Sequence, residues 1–343
     1  MTSSRVLLIS FLTVTLAAGS RLPALADCQP AQSLPGVFFV TDRQPLSDEQ
    51  LFSGERGFTQ ARSALVSRGV VSSPVSKRTE RRCSTDAAFL NALGKNFDSK
   101  RGRQILVYIH GYYTTFKTAA ATALTIQQSL RFPGPIIVYS WPSKVTSRLA
   151  YINDETNAGW SMVHFRNFLA TLRSKYPNAV ISFAAHSLGA RFAAEGIAYM
   201  RHTGCANCLG WVVLFAPDVD SDTLRSELAA AKLCTGPPRA KPKDSAQVVL
   251  YVSNKDLALR QSQQVHGHQR AGQAGTEMLL CNGVDTIDVS YLKSADKAGH
   301  SYQVDPPVLM DARQAFAGVS PMSAARKLKS VARTGKVYYE LKP

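Results

Sequence analysis

Acidic side chains are scarce: 24 Asp and Glu stand against 40 Lys and Arg in 343 residues, a formal charge of +16. Such an excess favours anionic surfaces. The basic doublets Lys77-Arg78, Arg81-Arg82 and Lys100-Arg101 are scattered and lack the interleaved aromatics that a single-stranded nucleic acid would stack on. They read as solvated surface charge, so envelope polymers or lipid head groups are the expected anionic contacts and specific nucleic acid is not. Internal repeats and low-complexity tracts are missing. Missing too is any apolar run of the roughly 20 residues needed to span a bilayer. Cysteines number only six, and Cys205-x-x-Cys208 finds no second pair at matching spacing, so neither a zinc site nor any cofactor is expected.

What is present points to an exported globular protein. At 45% hydrophobic the chain can bury a large core. Arg5 precedes an apolar run over residues 6–18, and Ala24-Leu25-Ala26 supplies small residues for cleavage before Asp27. Residues 1–26 therefore read as a signal peptide, and the mature chain as periplasmic or secreted. Asp27 argues against lipid attachment at Cys28. In an oxidising compartment the cysteines are expected to pair. Position favours Cys205 with Cys208, Cys234 with Cys281, and Cys28 with Cys83.

Apolar runs over residues 37–41, 105–109, 136–140, 181–185, 211–215, 248–252 and 286–290 read as strands. Several are apolar at every position, as strands covered on both faces are. Helical patterns fall between them near residues 119–130, 149–175, 190–200, 221–233 and 257–264. Alternation of this kind predicts an α/β fold, a mostly parallel sheet with helices on both faces. Residues 45–103 have little pattern and are expected to form an irregular surface excursion with a short element near 87–93. Residues 27–310 would form the domain. Residues 311–343, with seven Lys or Arg against two acids, would form a basic extension with one helix over 324–331 and a strand-like end.

The chain turns on Ile181-Ser182-Phe183-Ala184-Ala185-His186-Ser187-Leu188-Gly189: a strand running into a serine among small residues, then a helix. A serine on such a turn is exposed above the sheet edge, where a base can reach it. The usual pattern is Gly-x-Ser-x-Gly, and Ala185 replaces its first glycine. In a parallel sheet reactive groups gather at the carboxyl ends of the strands. Ser187, Asp256 and His300 stand there in the chain order nucleophile, acid, base. Ser187 would attack, His300 would act as base and then acid, and Asp256 would orient the imidazole. The backbone N–H groups of Tyr112 and Leu188 would hold the oxyanion.

These residues resemble the α/β-hydrolase superfamily, and within it an uncharacterised exported family. The resemblance is carried by Val37-Phe38-Phe39-Val40-Thr41-Asp42-Arg43, His110-Gly111-Tyr112, Tyr139-Ser140-Trp141-Pro142-Ser143, His186-Ser187-Leu188-Gly189, Ala216-Pro217-Asp218, Ser253-Asn254-Lys255-Asp256 and Gly299-His300-Ser301-Tyr302. It implies a serine hydrolase of unassigned substrate, esterase-like and acting on a small-molecule or envelope-derived acyl compound. Acyl transfer to a glycan or lipid alcohol by the same triad, or envelope binding on a degenerate hydrolase fold, are the alternatives. Asp218 rivals Asp256 as the acid. His266 and His268 compete with His300, although His266-Gly267-His268 reads more simply as a solvated loop. His186 reads as packing, His110 as shaping the oxyanion loop, and Asp220 as a helix cap. Asp154 and Glu155 read as acids favoured at a helix start. Residues 217–246 leave room for one helix and a loop, hence no large lid.

Overall fold

A computed structural model describes residue 28 and residues 36–61, 63–98, 100–144, 151–234, 248–293, 296–333 and 336–342. The signal-peptide reading of residues 1–26 lies outside the described residues. In chain order the first elements are β1 (Gly36–Thr41), β2 (Arg43–Pro45), β3 (Phe52–Arg56), β4 (Ser67–Ser72), β5 (Glu80–Arg82) and α1 (Asp86–Gly94). The central part comprises β6 (Gln104–Ile109), α2 (Phe116–Leu130), β7 (Ile136–Ser140), α3 (Tyr151–Lys175), β8 (Val180–His186), α4 (Gly189–His202) and β9 (Leu209–Phe215). It continues through α5 (Ser221–Ala230), β10 (Val248–Val252), α6 (Leu257–His266), β11 (Val284–Asp288) and α7 (Pro306–Phe316) to β12 (Leu328–Arg333) and β13 (Lys336–Leu341).

Eleven of these strands make one sheet in the order β12-β13-β11-β10-β9-β8-β6-β7-β1-β4-β5. From β13 to β1 every neighbouring pair is parallel, and antiparallel strands flank this run at both edges. The parallel strands are apolar at successive positions because both faces are covered. Alternate residues of β6 show this directly. Ile105, Val107 and Ile109 join a core with Phe165 and Phe168 of α3, Phe192 and Ile197 of α4 and Leu224 of α5. Leu106 and Tyr108 join the opposite core with Phe116 and Ala123 of α2, Leu259 of α6 and Val308 of α7. The sheet order doubles back at its centre, where β6 lies between β7 and β8, and an open α/β sheet binds ligands at such a reversal, beyond the strands' carboxyl ends.

Three expectations need correction. Residues 45–103 hold β3, β4, β5 and α1, and β4 pairs antiparallel with β1 along its whole length. The segment therefore extends the sheet rather than lying on its surface. The boundary at residue 310 falls inside α7, and β13 pairs parallel with β11, so the sheet runs past the strand expected to be its last. Finally, the helix expected over 324–331 is a single 3-10 turn, Ala324–Arg326, followed by β12. Chain crossing the sheet edge has one face in water, so β12 alternates polar and apolar residues too weakly to signal a strand.

The cysteines meet in the three pairs favoured by position. Cys28 joins Cys83, Cys205 joins Cys208 and Cys234 joins Cys281, with Cα separations of 5.3, 5.3 and 5.4 Å. No helix of the described residues is long and apolar enough to cross a membrane. Between β9 and β10 the described chain holds α5 alone, and residues 235–247 lie outside the described residues.

The C-terminal segment is anchored by charge. Arg326, buried, places Nε and Nη2 2.7 and 2.8 Å from the two carboxylate oxygens of Asp311, and the Tyr251 hydroxyl donates to the same carboxylate at 2.6 Å. Removing one member of such a pair strands the other charge in the core, so Arg326→Ala is expected to lower stability by about 3–5 kcal/mol. Urea denaturation followed by circular dichroism measures this; an unchanged midpoint would mean that the segment is an appendage after all.

Candidate active site

Ser187 sits between β8 and α4 with φ +54°, the left-handed region that a side chain adopts only when its surroundings hold it there. Its surroundings do. Its N–H donates to Phe215 O at 3.0 Å, and its carbonyl accepts from Asp218 N at 3.1 Å and Ala190 N at 3.0 Å. The helix packs tightly behind it, since a Cβ on Gly189 would stand 2.5 Å from Ile109 O. Ala185, where the usual motif has glycine, is fully buried in β8 opposite Ile109 and Leu214, and its methyl group is accommodated. Leu188 opens α4 with no side-chain cap, leaving the positive end of the helix at the turn.

His300 and Asp256 meet. The imidazole Nδ1 lies 2.7 Å from Asp256 Oδ2, while Asp256 Oδ1 accepts from Leu259 N at 3.0 Å and caps α6. The histidine's backbone is docked as well: its N–H donates to Asp296 at 2.9 Å, Ala298 O accepts from Leu257 N at 2.9 Å, and His300 O lies 3.0 Å from His186 Nε2. The rings of His186 and His300 are 4.7 Å apart, which brings residue 300 to the turn that carries Ser187. Among the described residues, neither Ser187 Oγ nor His300 Nε2 has a hydrogen-bond partner, although both atoms are buried. Burial pushes the His300 pKa down, but the Asp256 charge and hydrogen bond outweigh it, so the imidazole titrates above its ordinary 6.5. His186 behaves oppositely: burial and the neighbouring His300 pull it down to about 3.

The loop after β6 crosses over the serine. A Cβ on Gly111 would stand 2.7 Å from Ser187 Cβ, so only glycine fits there. Tyr112 follows, its ring 5.4 Å from that of Tyr151. Two buried charged residues that the sequence did not single out for this role hold the loop. Asp154 stands in the first turn of α3, as expected, and also accepts from Tyr113 N at 3.2 Å, from Ser143 Oγ at 2.6 Å and from Lys144 N at 2.8 Å, so it pins the loop as well. Arg43 donates to Thr114 O at 2.7 Å and lies 3.2 Å from His110 Nε2. His110 itself stacks on Trp141 at 5.0 Å, and burial, with the nearby Arg43 charge, holds its pKa well below the ordinary value.

A family model described as an alpha/beta hydrolase of unknown function (DUF900) matches residues 85–317, more than half of the chain. The chain belongs to this family. No curated protein matches it. Solved structures that align include a CIB-like hydrolase from Thermoplasma acidophilum, 13% identical over 65% of this chain and 89% of the other, with a TM-score of 0.33. Carboxylesterase CesB from Bacillus subtilis is 10% identical over 64% and 86%, TM-score 0.33. Phospholipase PlaB from Legionella pneumophila is 11% identical over 70% and 68%, TM-score 0.33.

In this DUF900 chain Asp218 makes no hydrogen bond with His300, although its charge adds to the upward shift of that imidazole. Its carboxylate is saturated by Arg270 Nε at 2.7 Å, Ser262 Oγ at 2.6 Å and the Tyr151 hydroxyl at 2.6 Å. Burial alone would raise its pKa, but Arg270 and the hydroxyls hold it below the ordinary carboxylate value. Nor is His266 part of a solvated loop: it ends α6 half-buried, 2.8 Å from Glu155, while Gly267 caps the helix and His268 is exposed. Asp220 caps α5 through Thr223 N at 2.7 Å, as expected. A cleft of about 810 Å³ beyond Asp218 is lined by Glu155, Arg191, Asp222, Glu227 and Arg270 among others, and by neither Ser187 nor His300.

If His300 must be neutral to accept a proton, activity falls as pH drops through its raised pKa, so the acidic limb of kcat/KM is expected above pH 6.5. Asp256→Asn should move that limb to lower pH and reduce kcat by about 10⁴-fold. A pH–rate profile of both proteins checks this. A limb unmoved by Asp256→Asn would detach it from His300.

Proposed function

We propose that the protein is an exported serine hydrolase that cleaves a carboxylic ester through an acyl-serine intermediate. One observation carries the reading: Ser187 Oγ and His300 Nε2 are both buried without partners, while the other ring nitrogen of His300 is tied to Asp256. A buried hydroxyl and a buried imidazole nitrogen left unpaired each cost stability. A substrate whose carbonyl carbon meets Ser187 Oγ while that hydroxyl turns its proton toward His300 Nε2 supplies the reason to keep both.

In this reading Ser187 Oγ attacks the carbonyl carbon as its proton passes to His300 Nε2. Asp256 stabilises the imidazolium through Nδ1–H, and the carbonyl oxygen, now negative, is held by the N–H groups of Leu188 and Tyr112. The intermediate collapses, the ester C–O bond breaks, and His300 returns the proton to the departing alcohol. Water then repeats the sequence on the acyl-serine, His300 taking its proton, and releases the acid. Export is supported by the three cysteine pairs, which persist in oxidising compartments.

Ser187→Ala should abolish turnover of activated esters while thermal unfolding stays near wild type. A fluorophosphonate probe should label the wild type at Ser187 alone, as mapped by peptide mass spectrometry. Unlabelled folded wild type would move the protein to a binding role on a hydrolase fold.

A further inference from the structure

Arg43 is 0% exposed, yet among the described residues no carboxylate lies within ion-pair distance of it. Its five N–H bonds all go to neutral acceptors. Nε donates to Ser140 Oγ at 2.9 Å, Nη1 to Ser53 O at 3.1 Å and Ser143 O at 3.2 Å, and Nη2 to Thr114 O at 2.7 Å. The fifth meets His110 Nε2 at 3.2 Å. Ser140 Oγ also lies 3.2 Å from His110 Nε2 and, since it already accepts from Arg43 Nε, can donate to it. A guanidinium cannot accept, so with Arg43 in place His110 Nε2 is the acceptor and the ring proton sits on Nδ1. His110 Nδ1 lies 2.7 Å from Gly111 O and therefore donates to it. The opposite tautomer would set N–H against N–H at Arg43 and lone pair against lone pair at Gly111.

The Gly111 carbonyl and the Tyr112 N–H belong to one planar trans peptide and point in opposite directions. Gripping the carbonyl therefore aims the N–H away from His110, in a loop whose glycine lies against Ser187. We infer that Arg43 is a positioning residue: by dictating the His110 tautomer it locks the Gly111–Tyr112 peptide in the orientation that presents the Tyr112 N–H to the oxyanion. The inference rests on the serine-hydrolase reading above, because it assigns a cause to the geometry of that reaction's anion site. A plain structural strut would also need Arg43 for stability, but it would leave the tautomer and the balance of kcat against KM unaffected.

Protein carrying ¹⁵N-histidine gives the tautomer directly, with the His110 signals assigned by their loss in His110→Gln. Neutral His110 protonated at Nδ1 is expected in the wild type; a proton on Nε2 would overturn the inference, and this arm needs no Arg43 variant to fold. In Arg43→Met the kcat for an activated ester should fall about 100-fold, the loss typical of one oxyanion donor. KM should stay within about twofold, since the interaction is made in the transition state. A boronic-acid inhibitor, whose serine adduct is tetrahedral, should weaken by the same factor as kcat. Unchanged kcat in folded Arg43→Met, or an equal loss of ground-state binding, would overturn the proposal. Wild type that fluorophosphonate leaves unlabelled removes the hydrolase reading and the oxyanion role with it, while the tautomer, read again in folded Arg43→Met, separately reports whether Arg43 governs His110.

Discussion

The pairing of β6 with β8 at the centre of the sheet is the constraint from which the site follows. Their register sets Ile109 opposite Ala185, so the chain leaves both strands at the same level, as His110-Gly111 on one side and His186-Ser187 on the other. A slip of one residue would exchange the two buried faces of either strand and is excluded by the cores above and below. With that register held, Gly111 must be glycine because Ser187 Cβ occupies its side-chain space, and Gly189 must be glycine because Ile109 O does. Two glycines and one left-handed serine are thus consequences of one strand pair.

Parts of this arrangement were legible in the sequence for a physical reason. A strand covered on both faces is apolar along most of its length, and β6, β7, β8, β9 and β10 announce themselves in that way. Reactive groups at strand ends then stand out as polar residues after apolar runs, as Ser187 and Asp256 do. The sheet's edges were not legible. β5 is Glu80-Arg81-Arg82 and β12 shows only two half-buried apolar positions, because edge strands face water and their pairing depends on backbone groups that leave no trace in side-chain type.

Arg43 and Asp154 were hidden for a related reason. Their roles are defined by partners that are mostly main-chain atoms: the carbonyls of Ser53, Ser143 and Thr114 for the arginine, and the N–H groups of Tyr113 and Lys144 for the aspartate. No motif records a carbonyl. A buried charge with neutral partners is recognisable only once the fold brings distant segments together, here β2, the loop after β6 and the loop after β7. Asp218 shows the converse. It stands at a strand end as Asp256 does, and what separates them is that Arg270, Ser262 and Tyr151 converge on one carboxylate while His300 reaches the other.

Three imidazoles lie near the Ser187 turn, and among the described residues one of them keeps a ring nitrogen without a partner. His110 has both ring nitrogens committed, one facing Arg43 and the other Gly111 O, and burial beside that cation keeps it neutral. His186 spends Nε2 on the carbonyl of residue 300 and is held neutral by burial down to about pH 3. His300 alone has a carboxylate at Nδ1 and a bare Nε2, and alone is shifted upward. Neutrality of His186 also serves His300, because a second charged ring 4.7 Å away would oppose formation of the His300 imidazolium. Basicity at the site is thus concentrated on one atom as much by suppressing two neighbours as by supporting one base.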